Sequence, residues 1–376
     1  MAEADRSAPL KVLMTADTVG GVWTYAMDLC RSLGPEGVHF HLVTMGAPMQ
    51  PWQREEAGAL DYVTIYETAF RLEWMEDPWE DVERSGAYLR SLESVIVPDI
   101  LHLNGYAHAA MPWKTPVISV AHSDVFSWFD AVKQSRPDAG WDVYYQRVKA
   151  GLMQADHVVA PSQAMMDDIC RIYGVPRSRS VIYNARTAGL FAAGEKERTI
   201  MCMGRIWDEA KNVRLIVDAA HLLRYPVRIA GENQFEHNSV SMDAGSIVAL
   251  GKLGSAQVAA ELASAGIYCH PARYEPFGLS VLEAALSGCA LVLGDIPSLR
   301  EIWGEAAVYV DTRNPEALAA RLNTLMEDPF HLKQLAEKAQ ARAAQFSTAR
   351  QAADYLGLYR ALAGQKSIEL QQNTSL

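Results

Sequence analysis

Basic charge is scarce in this sequence. The formal net charge is −11, and no stripe of lysine and arginine runs along any segment, which excludes the counterion-releasing surface that nucleic-acid binders carry. Paired cysteines are missing too. Cys30, Cys170, Cys202, Cys269 and Cys289 are odd in number, lack a C-x-x-C pair and fall in apolar stretches, so buried free thiols in a reducing cytoplasm are expected rather than a disulfide framework. No run approaches the roughly 20 apolar residues that cross a bilayer. The opening MAEADRSAPLKVLM carries acids where an export signal carries bases, which argues against secretion and leaves only peripheral contact with the inner membrane face open. An Asp-x-Asp signature is absent and the ten histidines show no ligand spacing, so no metal is expected. Short-period repeats are lacking, which rules out a solenoid.

What is present suits two α/β domains. At 376 residues the chain exceeds the roughly 250–300 residues at which single cores divide. With 49% apolar and 21% charged residues, it can fill two cores. Short apolar runs alternate with amphipathic segments, the order that produces parallel sheets with crossover helices. Lys11 to Thr15 reads as a strand and Gly20-Gly21 as a turn, after which Val22, Tyr25, Ala26, Leu29 and Leu33 recur at helical spacing. Further strands are expected at Phe40 to Thr44, Ile100 to Leu103, Val117 to Val120, His157 to Ala160, with Ser162 capping the next helix, and Val181 to Tyr183. A second series covers Thr199 to Met203, Val227 to Ala230, Ile247 to Leu250, Ile267 to His270, Ala290 to Leu293 and Val308 to Val310.

The domain boundary is therefore expected between Ala185 and Arg198, giving domains over 1–186 and 187–349. Ser298 with Glu301 reads as a capping box, and Asn314-Pro315 as a cap before a first-turn proline. Ala352, Tyr355, Leu356 and Tyr359 pattern a last helix, over 350–364, that should cross back onto the first domain. Met1 to Pro9 and Gln365 to Leu376 read as frayed ends.

The strongest chemical signal is HPARYEPFGLSVLE, His270 to Glu283. A strand ends, a loop carries Glu275, and a helix starts near Gly278 with Glu283 in its second turn. Both carboxylates can then face the crevice at the carboxyl edge of an open sheet, where such folds bind ligands. The helix N-terminal amides of Phe277, Gly278 and Leu279 would meet an anionic or hydroxyl-rich ligand there. Gly204-Arg205-Ile206 with Lys211-Asn212 also follows a strand, and two cations at a strand end can neutralise a diphosphate. The two segments describe a phosphate-and-sugar pocket. His102 and His270 beside apolar strands read as structural. Phe126, Trp128 and Phe129 suit an acceptor-stacking platform and core packing equally well. Gly20-Gly21 reads either as a tight turn needing positive φ or as a close approach to ligand.

E-P-F-G-L-S-V-L-E followed by A-L-S-G-C-A-L-V, together with G-R-I-x4-K-N and P-S-L-R-E-I, resembles the retaining nucleotide-sugar glycosyltransferases of family 4 over nearly the whole chain. The Gly20-Gly21-Val22 turn and Ser119-Val120-Ala121-His122 are similar in weaker form. The resemblance implies a GT-B type α/β fold, two doubly wound Rossmann-like domains facing each other across a cleft. It implies transfer of a hexose from a nucleotide-diphosphate donor, a UDP-sugar first and GDP-mannose second, to a glycan, lipid-linked or small-molecule acceptor, with no cofactor and no metal. By position, Arg205 and Lys211 correspond to the diphosphate clamp and Glu283 to the ribose carboxylate. Glu275 corresponds to the group holding the transferred sugar, beside the Phe277, Gly278 and Leu279 amides. Gly20 and Gly21 fall where the family approaches the diphosphate, His122 where it faces the sugar, and Gly231 and Leu253 where it walls the base. Two departures stand out. The loop from Arg205 to Lys211 is one residue longer than the common spacing, and Tyr183-Asn184-Ala185-Arg186 replaces an N-G-x-D turn.

Competing readings are weaker. A nicotinamide dehydrogenase would need G-x-G-x-x-G and an acid after the second strand, where Val43-Thr44-Met45-Gly46 stands instead. A hydrolase using Glu275 and Glu283 leaves the cationic pair unexplained. A GT-B epimerase or a non-catalytic nucleotide-sugar binder would be separated from a transferase by its products.

Overall fold

The computed structural model describes residues 9–205, 207–231 and 247–374, with side chains described to residue 365. Met1 to Ala8 and the motif residue Ile206 therefore lie outside the described residues. The chain folds as two compact units, Met1–Ser127 with Arg136–Asn184 and Thr348–Leu376, and Trp128–Ser135 with Ala185–Ser347. Trp128–Ser135 is grouped in the second unit.

In the first unit the strands are β1 (Leu10–Asp17), β2 (Val38–Met45), β3 (Val63–Tyr66), β4 (Ile100–Leu103), β5 (Val117–Val120), β6 (His157–Ala160) and β7 (Arg179–Val181), in the order β3-β2-β1-β4-β5-β6-β7. Each neighbouring pair runs parallel. β4, β5 and β6 are buried throughout, because helices cover both faces and continuous apolar runs satisfy both. Two strands differ from the sequence reading. β3 is a half-buried edge strand absent from the expected series. β7 sits earlier than Val181 to Tyr183, since its register pairs Arg179 with Val158 and Val181 with Ala160.

The second unit holds β8 (Glu197–Met203), β9 (Val227–Ala230), β10 (Ile247–Gly251), β11 (Ala265–His270), β12 (Ala290–Gly294) and β13 (Val308–Val310), in the order β10-β9-β8-β11-β12-β13. All of these pairs are parallel as well. Ile200, Ile229, Ile267 and Val292 of this sheet share a core with Leu318 and Leu322 of the helix Pro315–Glu327. Asn314 caps that helix, its side chain accepting from the Ala317 amide. Ser162 does the same at the helix Gln163–Tyr173, accepting from the Met165 amide.

In each sheet the strand order reverses beside the first strand, at β1/β4 and at β8/β11. Loops leaving the carboxyl ends of those strands diverge to opposite faces and open a crevice. Fold topology thus points to four loops; Gly20, Arg205, Lys211 and Glu275 sit on three of them, while His122, Gly231 and Leu253 follow β5, β9 and β10.

The last helix, Thr348–Thr374, includes the stretch after Gln365 that the sequence pattern assigns to a frayed end. Its Ala352, Tyr355, Tyr359 and Leu362 lie in the first unit's core with Tyr25 and Leu29 of the helix Gly21–Leu33. The tyrosine hydroxyls are satisfied there by a polar chain. Tyr359 Oη lies 2.6 Å from His102 Nδ1, His102 Nε2 lies 3.2 Å from Tyr25 Oη, and Tyr25 donates to Tyr355 at 2.6 Å. Burial pushes the His102 pKa down to about 3, so the chain is neutral. His102 links three elements, as buried polar groups must when they keep their hydrogen bonds.

Candidate functional site: the loops at the two switch points

At the end of β8 the chain turns through Gly204, φ +155°, onto Arg205. Gly231 closes against this turn. A Cβ on Gly231 would lie 2.1 Å from the Gly204 carbonyl oxygen, and φ there is +154°, so both the close approach and the backbone demand glycine. Asp208 folds the following loop by accepting the Ala210 amide at 3.0 Å. Asn212, at φ +53°, then donates to the Pro271 and Thr312 carbonyls at 2.9 and 2.8 Å. The Arg273 amide donates to the Ala210 carbonyl at 2.8 Å. The loop after β8 is thereby stitched to the loop after β11.

That stitching brings Lys211 onto Glu275. Their Nζ and Oε2 atoms are 2.5 Å apart, and His270 Nε2 lies 3.1 Å from the same oxygen. The Glu275 side chain is 10% exposed. Burial by itself would raise its pKa, but Lys211 and His270 outweigh the desolvation and hold the carboxyl well below the ordinary carboxylate range. The sequence reading sets Lys211 on phosphate, Glu275 on sugar and His270 in the core. In the folded chain all three are one hydrogen-bonded group. His270 Nδ1 is buried with no hydrogen-bond partner, so Nε2 is the ring nitrogen that meets Glu275.

Ser298 corrects a second expectation. The helix Pro297–Trp303 is capped from Ile296 without a side-chain bond. Ser298 instead donates to the Glu275 carbonyl at 2.5 Å, so the supposed capping-box serine braces the loop that carries Glu275.

Gly278, at φ +90°, starts the helix Leu279–Leu286 in the left-handed region. Phe277 is buried with its ring edge-on to Phe346 at 5.6 Å, which anchors the turn. The amides at this helix start precede any intrahelical acceptor. One turn further along, Glu283 Oε1 lies 2.8 Å from Arg186 Nε, with the side chains 13% and 6% exposed. The Arg186 guanidinium also lies 5.2 Å from the centre of the Phe191 ring. Sequence reasoning does not supply this partner, although the departure from N-G-x-D marks its segment.

Arg205 is held apart from these pairs. Its guanidinium stacks 4.7 Å from the Trp207 ring centre and reaches Asp208 at 3.3 Å. Leu253 follows β10, half-buried next to exposed Lys252.

In the first unit, Gly20 precedes the helix Gly21–Leu33 with φ −142°, and neither Gly20 nor Gly21 has positive φ. The tight-turn reading therefore fails. A Cβ on Gly20 would meet only Asp17 Oδ2, at 4.0 Å, so the fold itself does not demand glycine there. His122 Nε2 lies 2.8 Å from Asn104 Oδ1, while Asn104 Nδ2 donates to the Thr15 carbonyl at 2.7 Å. The amide orientation makes Asn104 Oδ1 the acceptor, so His122 carries its proton on Nε2 and leaves Nδ1 basic. Burial lowers the His122 pKa to about 3. His122, Asn104, Tyr106, Trp74 and Glu73 line a recess of about 90 Å³. Glu73, also not singled out from sequence, accepts the Tyr106 and Ala107 amides at 3.0 and 2.7 Å. Its pKa is raised to about 7 by burial, against those two bonds.

Among the described residues no three His, Cys, Asp or Glu side chains form a group suited to a metal ion, and no helix is long and apolar enough to cross a membrane.

Residues 19–186 match the family described as Glycosyltransferase Family 4, and residues 197–328 match Glycosyl transferases group 1. The O-antigen chain mannosyltransferase B of Escherichia coli is 28% identical over 149 residues, 36% of this chain and 39% of that one. The glycogen synthase of Mycobacterium tuberculosis is 27% identical over 275 residues, 65% and 64%. The D-rhamnosyltransferase WbpZ of Pseudomonas aeruginosa is 22% identical over 366 residues, 89% and 90%. The match thus spans less than two thirds of the first two relatives. Among solved structures, the sucrose-phosphate synthase of Thermosynechococcus elongatus superposes with TM-score 0.79 at 16% identity, over 94% of this chain and 99% of that one. Anabaena HepE in complex with UDP and glucose gives 0.74 at 15% identity, over 94% and 100%. Two parallel Rossmann-like sheets and these neighbours define a GT-B fold. The chain belongs to glycosyltransferase family 4, group 1.

Proposed function

We propose that the chain is a retaining, metal-independent hexosyltransferase whose donor binds at the β8/β11 crevice. The observation that carries this reading is the Lys211–Glu275–His270 group, hydrogen-bonded around a nearly buried carboxylate beside a helix N-terminus. Lys211 has three donors and gives Glu275 one, so it can hold a phosphate oxygen while keeping Glu275 in place. Arg205, 41% exposed, supplies a second, forked cation for the diphosphate. Glu275 accepts hydroxyls of the hexose and Glu283 accepts the ribose diol, while Gly231 and Leu253 flank the base.

The step is a substitution at the anomeric carbon. Its bond to the diphosphate oxygen breaks, the bond to the acceptor oxygen forms on the same face, and the acceptor proton passes to a departing phosphate oxygen. Negative charge grows on the diphosphate in that transition state, where Lys211 and the Gly278 and Leu279 amides stand ready and Arg205 swings in from Trp207 and Asp208. These cations do the work a divalent ion would do elsewhere. In the first unit His122 is neutral and offers Nδ1 as an acceptor for a hydroxyl, and nothing lies nearer than 4.0 Å to where a Cβ on Gly20 would stand.

A UDP-hexose is the first donor choice and GDP-mannose the second. HepE, in complex with UDP-glucose, and the mannosyltransferases among the relatives supply both candidates. The acceptor is a glycan, a lipid-linked sugar or a small metabolite. The reading is tested by a thermal-shift screen of nucleotide sugars against the wild type and Arg205→Ala. The true donor raises the wild-type melting temperature by binding linkage and raises the variant's much less. A panel in which every activated sugar leaves the wild type unchanged overturns it.

A further inference from the structure

We propose that Arg186 is a positioning residue for donor binding, acting through Glu283. The inference rests on the donor reading above and adds a residue that family resemblance does not supply. Three restraints fix the Arg186 side chain and backbone. Nε lies 2.8 Å from Glu283 Oε1 with both side chains nearly enclosed, Phe191 lies 5.2 Å from the guanidinium carbon, and the backbone pairs with Ser347 in a parallel bridge. Arg186 and Ser347 lie next to the two points where the chain passes between its units, at Asn184/Ala185 and Ser347/Thr348. The arginine is therefore rooted in a doubly connected stretch of backbone rather than on a loose loop.

Glu283 sits on the second turn of a short helix, and a glutamate there samples several rotamers unless something holds it. A carboxylate that must accept two ribose hydroxyls binds more tightly if its rotamer is chosen beforehand, because the ordering cost is met in folding rather than in binding. Arg186 narrows that choice, because its Nε holds one Glu283 oxygen at 2.8 Å and opposite charges fix a preferred carboxylate orientation. A buried carboxylate also needs a partner charge to remain ionised and in place. Lys211 lies 2.5 Å from Glu275, and Arg186 lies 2.8 Å from Glu283. The two acids of the motif thus each meet a cation, one from the β8 loop and one from the segment entering the second unit.

The test is a double-mutant cycle read by isothermal titration with UDP, GDP and their hexose conjugates, alongside steady-state kinetics on whichever conjugate turns over. Arg186→Gln is expected to weaken nucleotide binding and raise the donor KM about tenfold or more, with kcat at saturating donor changed less than about threefold. Arg186→Lys, which keeps the charge without the fork, recovers part of the loss. Placed in a Glu283→Gln background, Arg186→Gln costs less than about twofold further, because the group it positions is already gone. A merely structural arginine would lower the melting temperature of the unliganded protein and act independently of Glu283. Wild-type-like nucleotide affinity in Arg186→Gln, or an undiminished effect in the Glu283→Gln background, overturns the inference while leaving the donor reading intact. A wild type that binds none of the nucleotides overturns the donor reading and the inference together.

Discussion

At the residue scale the decisive feature is that the charges of the proposed site come in opposed pairs. Lys211→Ala leaves the buried Glu275 carboxylate with only His270 beside it, and its cost is roughly 3 kcal/mol or less because Lys211 is itself 30% exposed. Chemical denaturation should record that loss together with a fall of at least about a hundredfold in kcat/KM, while unchanged activity would remove Lys211 from the site. Gly20→Ala separates fold from function in the opposite way. With only Asp17 Oδ2 near the added carbon, at 4.0 Å, stability should hold within about 0.5 kcal/mol and donor affinity should drop. A variant with normal affinity would make Gly20 a bystander. The sign of acid destabilisation follows from His102. Its folded pKa of about 3 lies below the ordinary 6.5, so the unfolded state binds more protons between those values. The stability it contributes is full above pH 6.5 and falls by up to about 1.4 kcal/mol per pH unit below it. Glu275 acts in the same direction at lower pH, because a depressed carboxyl loses its contribution as pH falls through the ordinary range near 4.5. Denaturation midpoints across pH 4–7 check this, with Tyr359→Phe reporting whether the His102 chain is the source.

At the element scale, the strands with unbroken apolar runs were legible, because burial on both faces leaves little choice of residue. β3 was not. Its VTIY is short, half-buried and at the sheet edge, where neither alternation nor a long run develops. β7 shifted for a related reason, since an edge strand's register is chosen by its single neighbour. The strand-loop-helix pattern marks Gly278 and Glu275 as candidate site residues, but it could not assign His270 and Ser298 to Glu275. Both contacts depend on how β11 and the helix Pro297–Trp303 lie beside the loop, which no local spacing encodes. Ser298→Ala tests that brace. Without the hydroxyl the buried Glu275 carbonyl loses its donor, costing about 1 kcal/mol, and the misplaced loop should raise donor KM more than it lowers stability. Loss of stability with KM untouched would return Ser298 to a packing role.

At the scale of the whole molecule, alternation of strands and helices was enough to read two doubly wound α/β units, and family membership follows from matches on both. The last helix was legible as a helix from Ala352, Tyr355 and Tyr359 because those positions recur on one face. Its continuation past Gln365 was not, since that stretch lacks an apolar stripe. Donor chemistry is the part least written in sequence, because base and sugar are read by backbone and loop shape. If side-chain cations replace a divalent ion, transfer rates should survive exhaustive chelation within about twofold. Recovery of lost activity by added magnesium or manganese would refute that.

The most direct measurement is a crystal structure of the protein with a nucleoside diphosphate bound. The phosphates are predicted against Lys211, Arg205 and the Gly278 and Leu279 amides, with the ribose on Glu283. A diphosphate bound elsewhere, with Lys211 and Glu275 still closed on each other and untouched by ligand, would contradict the account.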